Sequence, residues 1–310
     1  MSIPTRSFGK TGIPVTVLGF GAMELRGRPR GPEIADEDAG KLLNSVLDAG
    51  INFVDTSIDY GRSEELIGRY ISSRRDEYFL ASKCGCLIDP PAGGEPPFPH
   101  DFSAHNVRNG VEQSLRRLNT DHLDLVQVHM SPARAELEDS GTVEELQQLQ
   151  SEGKIRFLGM SGTLPHIVDH LEMGVFDAYQ IPYSALQREH EEIISSAASR
   201  GAGTVIRGGA ARGAPAEEKD WTRSPIGMRD GDAERRWLDA DLDDLLEGLS
   251  RVAFTLRFTL THPDMHTTIV GTSKIDHLLD NVKVAELGPL PSDVYAEAKR
   301  RLSEAGASPA

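Results

Sequence analysis

The chain has 310 residues, 38% hydrophobic and 26% charged, a balance that suits a globular fold and excludes a disordered one. Its 33 Lys+Arg stand against 48 Asp+Glu, a formal net charge of −15. That argues against nucleic acid or an anionic membrane as a partner through bulk electrostatics, and leaves room only for a local basic patch that binds phosphate.

The two cysteines, Cys84 and Cys86, are too close in sequence to staple a secreted fold and point to a reducing compartment. The N-terminal MSIPTRSFGKTGIPV lacks the apolar core of a signal peptide, and no apolar run approaches the ~20 residues that span a bilayer. A cytoplasmic protein is expected.

In chain order, Ser7–Val17 sets a Gly-rich turn between short apolar pieces and is expected to form a hairpin plugging one end of a larger fold. Strand-length apolar runs follow at Val15–Phe20, Asn52–Val54, Tyr78–Ser82, Leu123–Val128, Ile155–Met160, Ala178–Ile181, Thr204–Ile206 and Thr267–Val270. Between them lie helix candidates. Asp36–Ala49 opens acidic and stops at Gly50, while Ser63 is placed to cap a helix that carries Glu64 and Glu65 in its first turn. Thr142-Val143-Glu144-Glu145 reads as a capping box before Leu146–Leu149, with Gly153 as the stop. Further helices are expected over Ala104–Leu118, Leu164–Met173, Arg188–Ser199, Leu242–Thr261 and Asp276–Ala285.

Strands that each lead into a helix give the pattern of a (β/α)8 TIM barrel, whose usual size is ~250 residues. The competing fold is an open doubly wound sheet, for which Gly19-Phe20-Gly21-Ala22-Met23 is a poor match to the expected Gly-rich turn. One barrel domain over residues 1–310 is expected. Two long loops, Cys84–His100 and Gly208–Arg236, follow strand candidates and should lie at the C-terminal mouth, where barrel active sites form.

Three adjacent strand candidates end on ionisable residues: FVD on Asp55, FLASK on Lys83 and DLVQVH on His129, with Tyr60 in the loop after Asp55. Neighbouring strands lie only ~5 Å apart, so these four groups can share one site. A tyrosine of ordinary pKa ~10 is a weak acid at neutral pH. A buried lysine cation beside it favours the phenolate and makes the phenol a better proton donor to a developing alkoxide. An aspartate keeps the lysine charged, and a histidine can polarise a carbonyl. The cluster lacks a reductant, so a hydride has to come from a cofactor.

These segments carry a specific likeness. GINFVDTSIDYGRSEELIG at 50–68, FLASKCG at 79–85 and DLVQVH at 124–129 make the whole chain resemble the aldo-keto reductases, NAD(P)H-dependent barrel oxidoreductases. The resemblance implies Tyr60 as general acid, Lys83 and Asp55 as its tuning pair and His129 as carbonyl orienter. FLGMSG at 157–162 resembles the fifth-strand motif whose Ser-Asn pair holds the nicotinamide carboxamide; Ser161 is present, and Gly162 stands where the asparagine is usual. Gln180 in YQIPYSALQRE completes that contact by resemblance.

TVIRGGAARG at 204–213 places Arg207 where an aromatic ring usually stacks on the nicotinamide, with Gly208, Gly209, Ala210 and Arg212 toward the pyrophosphate. IVGTSKIDHLLDN at 269–281 resembles the adenosine end, with Gly271, Thr272, Ser273 and Lys274 near the ribose phosphate and Asp280 and Asn281 at the adenine. His277 occupies the position that commonly carries an arginine for the 2′-phosphate. Ala22, Met23 and Asp55 complete the implied cofactor contacts. NADP(H) is expected over NAD(H), with a small carbonyl or alcohol substrate, polar or sugar-like in view of Asp89 and Glu95.

Other readings stand beside this one. His129 as a metal ligand lacks a second histidine at ligand spacing, and Cys84-Gly85-Cys86 alone is no zinc set, so no metal is expected. Trp237 reads as a packing residue beside Leu238, and Trp221 as either packing or pocket lining. Arg26, Arg28 and Arg30 read as a solvated loop, and Asp232–Glu247 as solvated helical faces. The alternatives for the whole chain are an NADPH-binding regulatory or sensor subunit with little turnover, and a Schiff-base aldolase with Lys83 as nucleophile.

Overall fold

The structure is a computed structural model that describes residues 2–28, 31, 33–88, 100–213, 228–229 and 231–310. Arg30, Asp89, Glu95 and Trp221 lie outside the described residues.

The chain opens with strands β1 (Thr5–Ser7) and β2 (Pro14–Thr16), paired antiparallel as the expected hairpin. Phe8, at the hairpin bend, is fully buried. A side chain at Gly203 would collide with its ring, so the bend packs at the start of a barrel strand. The expected single strand Val15–Phe20 is therefore two. Its first half serves the hairpin, and β3 (Leu18–Gly21) begins the barrel.

Alternation then proceeds through α1 (Asp36–Asp48), β4 (Phe53–Asp55), α2 (Ser63–Ile71), β5 (Phe79–Cys84), α3 (Ala104–Leu118), β6 (Leu123–Val128), α4 (Arg134–Ser140), α5 (Thr142–Ser151), β7 (Ile155–Ser161), α6 (Ile167–Met173), β8 (Ala178–Pro182), α7 (Glu191–Ser199) and β9 (Gly203–Arg207). It ends with α8 (Asp232–Asp239), α9 (Arg251–Thr261), β10 (Thr267–Val270), α10 (Ile275–Glu286) and α11 (Ser292–Glu304). Strands β3 to β10 close a parallel barrel in the order β10-β3-β4-β5-β6-β7-β8-β9. Strands β4, β5, β6 and β8 are buried along their whole length, as parallel strands covered by helices must be.

Two compact units make up the chain: residues 1–18, 181–270 and 276–310 in one, and 19–180 with 271–275 in the other. No helix among the described residues is long and apolar enough to cross a membrane.

The helix ends depart from expectation where side chains found other partners. The Ser63 hydroxyl bonds Thr56 Oγ1 at 2.9 Å and the Ala22 carbonyl at 3.0 Å instead of capping α2. Thr142 donates to the Phe102 carbonyl at 2.5 Å, and Glu145 pairs with Arg108 at 2.5 Å, so the capping box does not form. Tertiary partners outbid local caps at both sites. Leu242–Thr261 divides at Gly248, whose φ of 86° breaks a helix, and Ser250 caps α9 by accepting from the Ala253 amide at 3.2 Å. The Trp237 side chain is fully buried and donates to Asp243 at 2.9 Å, so packing is its role.

Candidate active site

The site grows from the C-terminal ends of five consecutive strands. Register places Asp55 of β4 opposite Ala81 of β5, Lys83 opposite Gln127 of β6, Gln127 opposite Gly159 of β7, and Ser161 opposite Gln180 of β8. Lys83 Nζ lies 2.6 Å from Asp55 Oδ2 and 2.7 Å from the Thr56 carbonyl, with both partners of the ion pair at most 2% exposed. Asp55 Oδ1 accepts from Gln127 Nε2 at 2.9 Å and from Gln180 Nε2 at 2.8 Å. Ser161 Oγ in turn donates to Gln180 Oε1 at 3.2 Å.

One connected polar network thus spans β4 to β8. Burial works against the Lys83 charge, but Asp55 and then Tyr60 outweigh it, and the ammonium pKa stands above its ordinary value.

Tyr60 sits over this pair, its ring centroid 5.0 Å from Lys83 Nζ. The turn that carries it is tied at both ends, the Tyr60 amide donating to Ser57 at 3.0 Å and the Ser63 amide to Tyr60 at 2.9 Å. Gly61 follows at φ 49°, and a side chain there would strike the Arg26 carbonyl. The glycine lets the tyrosine loop seat on the Arg26 backbone.

His129 directly follows β6, its amide held by the Cys84 carbonyl at 3.1 Å. Its Nδ1 is 3.1 Å from Cys86 Sγ, and Cys86 Sγ is 3.6 Å from His100 Nε2. The two imidazole rings meet edge-on at 5.7 Å. Burial pushes the Cys84 thiol up to about 12. Burial, Asp59 and Cys84 together push the Cys86 thiol up as well. Both cysteines are neutral thiols at neutral pH.

Asp55, Tyr60, Lys83 and His129 are thus all gathered at one barrel mouth. Gln127 and His100 were missed by sequence reasoning, while Cys86 was considered with Cys84 only as no zinc set on its own. Gln127 had a signal, since it lies two residues before His129 on the same strand face. His100 had none, because its spacing from Cys86 matches no ligand motif.

The residues implied for a cofactor fall in three places. Ser161 and Gln180 belong to the network just described. Ala22 and Met23 start the 3-10 turn after β3, and a side chain at Gly271 would meet the Gly21 carbonyl at 2.7 Å. Thr272 Oγ1 accepts from the Lys274 amide at 3.1 Å, and Ser273, Lys274, His277, Asp280 and Asn281 lie just before or within α10. Asp280 is paired with Lys283 at 2.9 Å.

Arg207 ends β9, and Gly208 follows at φ 77° with open space where a side chain would stand. A side chain at Gly209 would collide with Thr268 Oγ1, and Thr259 donates to the Gly209 carbonyl at 2.8 Å. Ala210 is buried and Arg212 exposed. At Gly162 a side chain would press on Ile167 at 3.0 Å, a local reason for glycine there.

Residues 17–302 match the profile of the Aldo/keto reductase family. The chain is 27% identical to the uncharacterized oxidoreductase YqkF of Bacillus subtilis, over 90% of each chain. It is 29% identical to L-galactose dehydrogenase of Arabidopsis thaliana, over 94% of this chain and 91% of that one. Among solved structures, the holo form of aldo-keto reductase AKR11C1 from Bacillus halodurans superimposes with a TM-score of 0.83 at 27% identity, covering 96% of both chains.

Proposed function

The chain belongs to the Aldo/keto reductase family, and from that premise we propose that it reduces the carbonyl of a small polar aldehyde, ketone or keto-sugar to an alcohol, or runs the reverse reaction, as a single domain. The observation that carries this reading is the buried Lys83–Asp55 pair, 2.6 Å apart, beneath the Tyr60 ring.

A nicotinamide coenzyme, once bound, supplies or accepts the hydride. The residues present suit one. Ser161 and Gln180 offer a hydroxyl and an amide for the carboxamide, and open space beside Gly208 lets a ligand approach the backbone. Thr272, Ser273 and Lys274 stand directly before α10, where hydroxyls, an ammonium and helix amides favour a phosphate. Lys274 supports NADP(H) as a point charge, while His277 in place of an arginine keeps NAD(H) in contention.

In the proposed reaction, Tyr60 delivers its phenolic proton to the carbonyl oxygen as negative charge develops there. Lys83, held charged by Asp55, stabilises the phenolate that remains. Gln127 and Gln180 fix the other Asp55 oxygen, so the carboxylate cannot swing away from Lys83. The neutral Cys86 thiol donates to His129 Nδ1, which leaves the ring proton on Nε2 as a donor to the substrate oxygen. The name of the A. thaliana relative favours a sugar-like substrate.

Near-ultraviolet absorbance tests the reading directly, with NADPH and NADH followed in parallel against aldehydes, ketones and keto-sugars. Wild type should consume coenzyme, and Tyr60→Phe should lose about 10²- to 10⁴-fold in kcat while still binding it. A Tyr60→Phe enzyme as fast as wild type would remove the tyrosine from the mechanism, and coenzyme binding without turnover in wild type would favour a sensor.

A further inference from the structure

We propose that Cys86, His100 and His129 form a binding site for one divalent transition cation of the zinc class. The three ligand atoms, Cys86 Sγ, His100 Nε2 and His129 Nδ1, all lie within 4.8 Å of one another. Sγ is 3.1 Å from one nitrogen and 3.6 Å from the other. Tetrahedral zinc, with Zn–S about 2.3 Å and Zn–N about 2.0–2.1 Å, sets its ligand atoms about 3.3–3.6 Å apart. The two sulfur–nitrogen distances lie close to that spacing, and the third side of the triangle is no longer than 4.8 Å.

The fold holds the donors in place. Cys86 and His100 face each other in an antiparallel bridge, and the Asp101 amide donates to Gly85 at 2.8 Å. Asn106 Nδ2 ties both strands, donating to the Cys86 carbonyl at 3.1 Å and the Asp101 carbonyl at 2.7 Å. Gly85 turns at φ 89° with the Phe102 ring filling the space of its side chain, and that ring stacks on His100 at 5.9 Å. His129 is anchored through its amide to Cys84. Asp59 Oδ1, 4.0 Å from His129 Nδ1, adds negative charge beside the site.

The donor set selects the cation. One thiol sulfur and two imidazoles suit zinc and its neighbours, whereas calcium and magnesium demand oxygen ligands. Three protein ligands leave a fourth position open to water. On binding, Cys86 gives up its S–H proton to solvent, one per ion, and forms the S–metal bond. Each neutral imidazole donates a lone pair, and nothing is oxidised or reduced. His129 coordinates through Nδ1 and keeps its proton on Nε2, so the cation replaces the thiol that otherwise sets that tautomer.

Cobalt(II) titration of the full chain, read by its thiolate-to-metal absorption, tests the site without any turnover and so stands or falls apart from the reductase reading. Wild type should bind one Co²⁺ per chain, displaced by Zn²⁺. Cys86→Ser should abolish the band, His100→Gln should weaken the affinity about tenfold or more, and Cys84→Ala should keep the band. No band in wild type, a band that survives Cys86→Ser, or an affinity unmoved by His100→Gln would each overturn the proposal. His100 is part-exposed, so its variant decides the matter even if Cys86→Ser fails to fold.

Discussion

Asp55 has both carboxylate oxygens committed inside the protein, one to Lys83 and one to two glutamine amides. Asp55→Ala would strand the buried Lys83 ammonium, and urea unfolding should show a loss of about 3–5 kcal/mol. The paired charges also leave a mark at high pH. The Lys83 pKa is raised in the folded state, so the pair's contribution is fully present below the ordinary lysine value near ~10.4 and disappears as pH rises through the folded value. Against the neutral double variant Asp55→Asn/Lys83→Met, the wild-type stability difference should hold steady up to about pH 10 and shift toward the variant above it. A difference that ignores pH up to about 11 would mean that the Lys83 pKa is not raised on folding. The aspartate, lysine and histidine were legible because each ends an apolar run where burial forbids an idle charge. Gln127 is uncharged and sits inside its run, so only its two-residue spacing from His129 set it apart from an ordinary strand residue.

Between elements, one glycine governs how the network fits. Gly159 on β7 stands opposite Gln127, and a methyl there would meet Gln127 Cγ and Leu125 Cδ1, each at 2.9 Å. Gly159→Ala should therefore push Gln127 off Asp55, costing about 1–3 kcal/mol by overpacking and lowering kcat more than it changes KM. Thermal melts with steady-state kinetics check both parts, and an alanine variant with wild-type stability and rate would show that β7 yields freely. Strand positions were read well at this scale, because parallel strands are nearly continuous apolar runs. Helix starts were read less well. Thr142 and Ser63 carry good capping side chains, yet each bonds a distant group instead, and local propensity holds no record of such partners.

At the scale of the whole molecule, the alternation of strand and helix runs made the barrel legible, and the Gly-rich turn within Ser7–Val17 made the hairpin so. What stayed hidden depends on contacts far apart in sequence. α11 was not anticipated, since its apolar stripe is thin and only Ala298 and Leu302 are buried. Arg188 was read as a helix start, yet it is 2% exposed. It donates to Glu191 at 2.7 Å, the Lys299 carbonyl at 2.9 Å, Ser303 at 3.0 Å and the Ala307 carbonyl at 3.0 Å. One guanidinium thus ties the start of α7 to the last helix and to the tail beyond it, and its planar fork is what allows four acceptors at once.

Arg188→Met removes the fork while Lys299 stays on Glu191, so the loss should fall near the low end of about 3–5 kcal/mol. Because none of these partners belongs to the proposed tetrad, turnover per folded molecule should stay at the wild-type value while the melting temperature drops. An unchanged melting temperature would mean that α11 is held by its apolar stripe alone, and a fall in kcat without a fall in stability would mean that the brace reaches the chemistry.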